Sequence, residues 1–360
     1  MPAKLNYKQY QRVFGGPGMP FITSFMFAYY YRQIDFLVTV KDNLWTAFLK
    51  KNIFQKTLTD GVKFYKNVRQ LATFKKNYHQ HLKKSIPFFR RMTAKKKLTK
   101  QEVQQFFKYA GEVLSLYVRC EFFFTDRAFV VAKKDKKLAK NLSDFDKLKN
   151  PGKEQIIRVF FAANSYIYRL LKILSKQFDI AFKDLLNYHP QEIIGLFGGQ
   201  TLNKKVIQSR QNFYILKSSH AGVEILTDKK YKIIIDRLAP KLKPLKVLKG
   251  TVANKGKAIG RVKLFNHGYE FYKVSQLIAS MKRGDILVTE TTSPELLPAC
   301  KKAKAIVTNE GGLLSHAAII SRELNIPCIV GAHGITSSVK DGDLVEVDAN
   351  RGIVKKIMKN

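Results

Sequence analysis

Through most of the first two thirds of the chain, apolar residues recur at helical spacing. Val103, Phe106, Phe107, Ala110, Val113, Leu114 and Tyr117 step by three and four, the stripe of an amphipathic helix. Thr99 and Glu102 stand as a capping box at its start, and Leu98 is placed to staple against Val103. A second long helix is predicted over Lys153–Gln177, after a breaker at Asn150-Pro151-Gly152. Its apolar positions, from Ile156 to Leu174, are broad enough for packing into a bundle. The apolar run Phe21–Val40 reads as a buried helix rather than a membrane span, because Arg32 and Asp35 at its centre would be costly at bilayer depth. Gly15-Gly16-Pro17-Gly18 reads as a turn. Ala132–Lys149, with its lysine cluster from Lys133 to Lys140, reads as an exposed connector. Residues 1–238 are therefore predicted to form a basic, aromatic-rich helical domain, with a possible break in its substructure near 132–152.

The pattern changes at Ala239-Pro240-Lys241-Leu242-Lys243-Pro244. Two prolines within five residues stop a helix and favour extended chain, so 239–245 is read as a linker. Beyond it come short β-rich runs at Leu248–Val252, Gly260–Phe265, Asp285–Thr289, Ala305–Val307, Cys328–Val330 and Leu344–Val347. Gly256, Gly260, Asp341-Gly342-Asp343 and Arg351-Gly352 punctuate them. This alternation predicts a compact α/β domain over 246–360. The fold class expected for the whole is an N-terminal helical region followed by that α/β domain.

Composition supports this division and adds one asymmetry. A chain of 360 residues with 45% apolar content is long enough for two or three domains with real cores. Residues 246–360 hold 18 Lys and Arg against 10 Asp and Glu, which leaves 47 against 17 for residues 1–245. Such a field attracts nucleic acid, an anionic membrane surface or phosphorylated metabolites. The lysines look dispersed, however, and no nucleic-acid recognition motif accompanies them, so the charge alone decides nothing. Cys120, Cys300 and Cys328 lie far apart with no C-x-x-C pair, which excludes the common zinc spacings and argues against a disulfide framework. The N-terminus lacks the succession of a secretory leader, and a cytoplasmic location is the expectation.

The chemistry concentrates in Thr308-Asn309-Glu310-Gly311-Gly312-Leu313-Leu314-Ser315-His316-Ala317-Ala318, continuing to Pro327. A strand runs into a two-glycine turn, and a helix follows with Ser315 near its N-cap and His316 in its first turn. Asn325 suits the left-handed position that closes a helix, and Pro327 blocks continuation. Free amides and the positive dipole end of such a helix favour an anion, and the backbone around Gly311 and Gly312 can add a nest of N–H groups. The same dipole favours a neutral, nucleophilic imidazole. His316 is thus the candidate phosphoryl acceptor, with Gly311, Gly312 and Ser315 as phosphate-binding residues. Thr308, Thr292 and Arg322 are supporting candidates. Arg322 lies off the face of His316 and suits a docking surface.

The same stretch closely resembles the signature of the mobile, phosphohistidine swivelling domain of phosphoenolpyruvate-utilising enzymes: phosphoenolpyruvate synthase, pyruvate phosphate dikinase, enzyme I of the sugar phosphotransferase system and rifampin phosphotransferase. Gly311, Gly312, Ser315, His316, Ala317, Ala318, Arg322, Glu323, Ile326, Pro327 and Gly331 match in register. Gly250-Thr251-Val252-Ala253 with Gly256, Ala258 and Gly260 resembles the family's opening strand and glycine turn. Gly284–Val288 with Thr291–Glu295 resembles the strand and Thr-x-Pro loop flanking the histidine, and Asp341-Gly342-Asp343 with Asp348–Val354 the closing strands. The resemblance implies a three-layer β/β/α swivelling domain over 246–360, in which His316 takes phosphoryl from an ATP-grasp domain.

Departures from the family pattern shape the rest of the expectation. Leu314 replaces the regulatory threonine of pyruvate phosphate dikinase, and Leu314-Ser315-His316 looks more like the rifampin-phosphotransferase branch. No ATP-grasp domain or Gly-x-x-x-x-Gly-Lys-Ser/Thr loop is recognisable, and the chain stops at Asn360 before any phosphoenolpyruvate-binding barrel. Tyr188–Ile194 and the basic segment to Tyr214 loosely resemble the helical segment that precedes the swivel. The resemblance therefore implies no metal or cofactor on this chain. ATP and Mg would sit on a separate ATP-grasp partner, and the small-molecule acceptor would be pyruvate or a drug-like hydroxyl. The rival expectation is a non-catalytic protein whose basic half binds nucleic acid or an anionic surface, with a relic swivel. His79 and His81 are read as surface residues, and His333 as a loop residue with a minor claim on the site.

Overall fold

The computed structural model describes residues 7–357 except 18, 42–43, 124–125, 163, 239–246, 266–270, 293–295 and 314. The chain divides into two compact units, residues 1–238 and 239–360. The expected linker at 239–245, together with Leu314 and Ser293-Pro294-Glu295, lies outside the described residues.

The first unit is not a purely helical domain. Strands β1 (Tyr10–Pro17), β2 (Phe36–Lys41), β3 (Leu44–Lys50), β4 (Phe213–Ser219) and β5 (Gly222–Leu226) form one antiparallel sheet in the order β1-β3-β2-β4-β5. Helix α1 (Phe21–Tyr30) lies between β1 and β2. Helices α2 (Lys51–Lys66), α3 (Val68–Thr93), α4 (Lys100–Phe122), α5 (Asp126–Ala132), α6 (Lys136–Ile156), α7 (Tyr166–Phe178), α8 (Phe182–Leu185), α9 (Pro190–Gly195) and α10 (Lys204–Asn212) intervene between β3 and β4, and α11 (Lys232–Leu238) follows β5. The predicted Phe21–Val40 helix stops at Tyr30 and gives way to β2, with Asp35 in the left-handed region at φ 50° and held by Lys50 Nζ at 2.8 Å. Alternation explains why β2 is a strand. Phe36, Val38 and Val40 enter the large helical core, while Leu37 faces Phe48, Ile215 and Ile235 on the other side. Gly15-Gly16-Pro17, expected in a turn, belong to β1 and pair with β3.

Two further expectations about the helices change. The predicted connector at 132–149 is largely helix α6, because Leu138, Leu142, Phe145 and Leu148 form a buried stripe between the lysines. Pro151 lies inside that helix rather than breaking it. The long helix expected over 153–177 is instead interrupted: a π-turn at Ile157–Phe161 ends the first segment, and Ser165 caps α7. The Thr99–Glu102 capping box is present, with Glu102 N donating to Thr99 Oγ1 at 3.3 Å and Thr99 N to Glu102 Oε2 at 2.9 Å. His81 is not a surface residue. Its side chain is nearly buried beside Glu112, with Nδ1 at 3.1 Å from the carboxylate, and burial pulls its pKa down.

The second unit contains β6 (Val247–Lys249), β7 (Thr251–Asn254), β8 (Lys257–Phe265), α12 (Phe271–Ser280), β9 (Ile286–Thr289), α13 (Leu297–Lys302), β10 (Ala305–Thr308), α14 (His316–Glu323), β11 (Cys328–Val330), α15 (Ile335–Ser338), β12 (Leu344–Asp348) and β13 (Ile353–Lys356). The strand order is β6-β13-β12-β8-β9-β10-β11-β7. From β8 to β11 the neighbours run parallel, and the remaining pairs are antiparallel. Strands β9, β10 and β11 bury both faces, whereas β8 alternates between buried and exposed positions. Ile286, Val288, Ala305, Val307 and Ile329 share a core with Val345, Val347 and Val354, while Leu287, Ile306, Cys328 and Val330 pack with Ala317, Ala318 and Ile320 of α14. Cys300 and Cys328 are free and lie in that second core, where burial pushes their thiols up to about 11 and about 12.

One polar cluster in the first unit yields a stability prediction. Arg210, 7% exposed, grips Glu192 with Nη1 on Oε2 at 2.7 Å and Nη2 on Oε1 at 2.9 Å, donates to Asn187 O, and lies over the Phe21 ring. Burial alone would raise the Glu192 carboxyl, but hydrogen bonds from His189 and Arg210 outweigh it and hold the pKa at about 2. Glu192→Gln strands a buried guanidinium and is expected to destabilise the unit by about 3–5 kcal/mol. Because the folded carboxyl is depressed, its stabilisation is full above the ordinary carboxyl range and drains away as pH falls toward about 2. Urea unfolding of wild type and variant across that acid range checks both points; parallel pH profiles would refute the assignment.

Candidate phosphoryl-acceptor site

The parallel strands β9 and β10 end side by side, with Ile306 opposite Leu287 and Thr308 opposite Thr289. Chain leaving the carboxyl ends of neighbouring parallel strands converges on one crevice, where α/β sheets commonly place their sites. β9 delivers Thr292 there, and β10 delivers the glycine turn and α14. His316 Nδ1 lies 3.0 Å from Thr292 Oγ1. Thr292 is buried and His316 half-buried. The orientation has a chemical consequence: when Nδ1 carries the proton and donates to Oγ1, the lone pair of the neutral ring is on Nε2.

Local bonds fix the helix start. Ser315, at the N-cap, accepts from Ala318 N at 3.4 Å and itself donates its backbone N–H to Gly312 O at 2.9 Å. Gly311 takes a left-handed φ of 112°, and a Cβ there would sit 3.0 Å from Ser315 Cβ, so the turn needs glycine for both conformation and room. Thr308 Oγ1 donates to Glu310 O at 2.6 Å across the same turn. Ser315 takes the Ala318 amide, and helix geometry leaves the amides of His316 and Ala317 without an acceptor inside the helix, the setting in which an anion is stabilised. Arg322 is exposed and reaches back to donate to Leu313 O, so it braces the turn from outside. Asn325 closes the helix at φ 50°.

A second set of residues, barely announced by the pattern of the chain, locks the ends of β9 and β10. Asn309 is buried. Its Nδ2 donates to Glu290 Oε2 at 2.8 Å, and its Oδ1 accepts from Gly334 N at 2.6 Å. Thr336 Oγ1 donates to the other Glu290 oxygen at 2.5 Å. Asn309, Glu290 and Thr336 thereby tie together the exits of β9 and β10 and the start of α15. Only the placement of a polar Asn309 directly after a wholly buried strand hints at this. His333 is exposed and stands 3.8 Å from Glu310 Oε1. Among the described residues no cluster of three or more His, Cys, Asp or Glu is placed to hold a metal.

Residues 281–352 match the family described as PEP-utilising enzyme, mobile domain. The C-terminal unit carries that mobile domain. The chain is 50% identical over 110 residues to the phosphoenolpyruvate synthase of Pyrococcus furiosus, covering 31% of this chain and 13% of that protein. It is 45% identical over 108 residues to a probable phosphoenolpyruvate synthase of Methanothermobacter thermautotrophicus, covering 30% of this chain and 15% of that protein. A pyruvate kinase of Bacillus licheniformis is 40% identical over 107 residues, covering 30% of this chain and 18% of that protein. The chain thus spans less than a fifth of the length of these curated relatives. Within the mobile domain Thr292 contacts His316, the turn at Gly311 and Gly312 packs against Ser315 and Thr308, and Arg322 bonds to the backbone of Leu313. Among the described residues no helix is long and apolar enough to cross a membrane.

The Nδ1–Thr292 contact makes a direct prediction for the mobile domain. In nitrogen-15 NMR of the neutral ring, wild type is expected to show mostly the Nδ1–H tautomer. Thr292→Val, which keeps the shape but removes the oxygen, should shift the mixture by roughly the 0.5–1.5 kcal/mol of one hydrogen bond. An unchanged tautomer ratio would remove Thr292 from the site.

Proposed function

We propose that the chain is a phosphohistidine phosphoryl carrier, a component of a phosphotransferase of the phosphoenolpyruvate-synthase type. The observation that carries this reading is His316 at the start of α14, with Nδ1 directed to Thr292 and a glycine turn beside it, inside a mobile-domain match. Nε2 attacks the phosphorus of the donor. A nitrogen–phosphorus bond forms, the donor's phosphorus–oxygen bond breaks, and its electron pair leaves with the donor oxygen. Throughout, Nδ1 keeps its proton on Thr292 Oγ1, so the positive charge arising on the phosphorylated ring is spread toward a fixed hydroxyl. The helix amides and the backbone near Gly311 and Gly312 hold the phosphoryl oxygens. In the return step an acceptor oxygen attacks phosphorus, and the pair of the nitrogen–phosphorus bond returns to Nε2.

The donor in this reading is a separate ATP-grasp protein that carries ATP and Mg, and the acceptor is pyruvate or another small hydroxyl or enol. The two cores that flank β9, β10 and β11 support a three-layer β/β/α arrangement for the carrier. A cytoplasmic location accords with this chemistry, since ATP and phosphoenolpyruvate-type donors are intracellular metabolites.

Labelled ATP and magnesium with the purified chain alone are expected to leave it unlabelled. Addition of an ATP-grasp protein lacking its own swivelling domain should place label on His316 Nε2, acid-labile and alkali-stable as a phosphoramidate. His316→Ala should abolish labelling with the circular dichroism unchanged. Gly311→Val should slow it, because the left-handed turn excludes a β-branched side chain. Mass spectrometry under neutral handling reads the site, and phosphate on Ser315 or any other histidine overturns the reading.

A further inference from the structure

Helix α3 carries a feature that the phosphoryl chemistry does not use. From residue 61 to 101 the chain contains no Asp or Glu and 13 Lys and Arg. Along α3, Leu71, Phe74, Tyr78, Ser85, Phe89 and Met92 are buried and fix which side faces the core. Arg69, Lys76, Lys83 and Arg90 recur every seven residues on the opposite side, and Lys84 and Arg91 stand beside them. At 100° per residue these six fall within about one third of the circumference. All six are exposed. None has an acidic partner among the described residues, whereas Lys66 pairs with Asp135 and Lys95 with Glu102 at the two ends of the same region. Lysines that look scattered in the sequence are thus a single line on the helix, about 30 Å long.

We infer that this face of α3 binds the phosphodiester backbone of duplex nucleic acid without reading its sequence. The line is one helix wide, which matches a row of phosphates better than the broad plane of a bilayer. Thr73, Asn77 and Gln80, which lie within or at the border of the arc, offer hydroxyl and amide groups for phosphate oxygens, and the apolar residues there, Ala72 and Pro87, are too small to anchor in lipid. Duplex is favoured over single strand because no aromatic ring is exposed on the stripe for a base to stack on: Phe74, Tyr78 and Phe89 are buried and Phe88 is half-buried under Arg91. The surplus of basic residues elsewhere in residues 1–245 steers the polyanion toward the molecule, and the stripe gives it a register.

The test uses the full chain and a fluorescent random duplex of about 20 base pairs, a single strand of equal length, and vesicles containing phosphatidylserine. A variant carrying Arg69→Gln, Lys76→Gln, Lys83→Gln and Arg90→Gln is compared with one carrying Lys176→Gln, Lys204→Gln, Lys205→Gln and Lys229→Gln, four exposed lysines of the same unit away from the stripe. Both lose the same charge. The stripe variant is expected to bind duplex roughly ten-fold or more weakly and to lower the salt slope by about one per replaced contact, whereas the control changes little. His316→Ala should bind as wild type, which separates this surface from the carrier chemistry. Equal losses in the two variants, tighter binding to vesicles or to single strand, or no duplex binding by wild type each overturn the inference.

Discussion

Gly250 is where the eight-stranded sheet of the second unit meets itself. It separates β6 from β7 by one residue, yet these strands stand at opposite ends of the strand order. The chain must therefore pass from one edge to the other within a single peptide. A Cβ at Gly250 would lie 2.6 Å from Ile329 Cγ2 and 2.9 Å from Val330 O, so no larger residue can make the crossing without moving β11. Gly250 N donates to Gly352 O at 2.9 Å, and Gly352, at φ 68°, has no room for a side chain against Gly250 O. Through this contact the antiparallel half, built on β12 and β13, and the parallel half, built on β9 to β11, are locked into one body. Asn254 at the end of β7 then donates to Ser321 O and Ile326 O, which pins the far end of α14. The chain that leaves Gly250 thus reaches, within one strand, the helix that begins with His316.

Two forms of order meet at the crevice. The glycine turn, Ser315 and Thr308 set the backbone locally, through bonds that span a few residues. The Asn309–Glu290–Thr336 group works at longer range, joining three loops that apolar packing alone would leave free. Asn309 and Glu290 are satisfied by partners with defined geometry, which makes the crevice stiff before any ligand arrives. Stiffness of that kind suits a group that must present the same nitrogen in the same direction twice, once to receive and once to give.

Legibility in the sequence followed the range of the interactions. The end of α14 at Asn325 and the cap at Ser315 could be read because each depends on neighbouring backbone. Most strands of the second unit were legible because apolar runs alternate with glycine and aspartate turns, but Leu248–Val252, expected as one run, is two strands, β6 and β7, divided at Gly250. In the first unit the pairing of β2 with β4 joins Leu37 to Lys217, and nothing local announces such a partner. Periodicity could not distinguish Phe36–Val40 from a continuation of α1, since a strand buried on both faces reads as an unbroken apolar run. Helix α6 was hidden for the opposite reason: its lysines outnumber the buried Leu138, Leu142, Phe145 and Leu148, so density of charge concealed the stripe. Thr292 was singled out by resemblance to the family loop, whereas Asn309, Glu290 and Thr336 exert their effect only through contacts that folding creates.

The residues that meet around His316, from Glu290 to Thr336, belong to one uninterrupted stretch of chain, and Gly250 and Gly352, farther out on either side, close the sheet around it. A graft of that stretch with its flanking strands therefore carries the whole device as a single piece of chain.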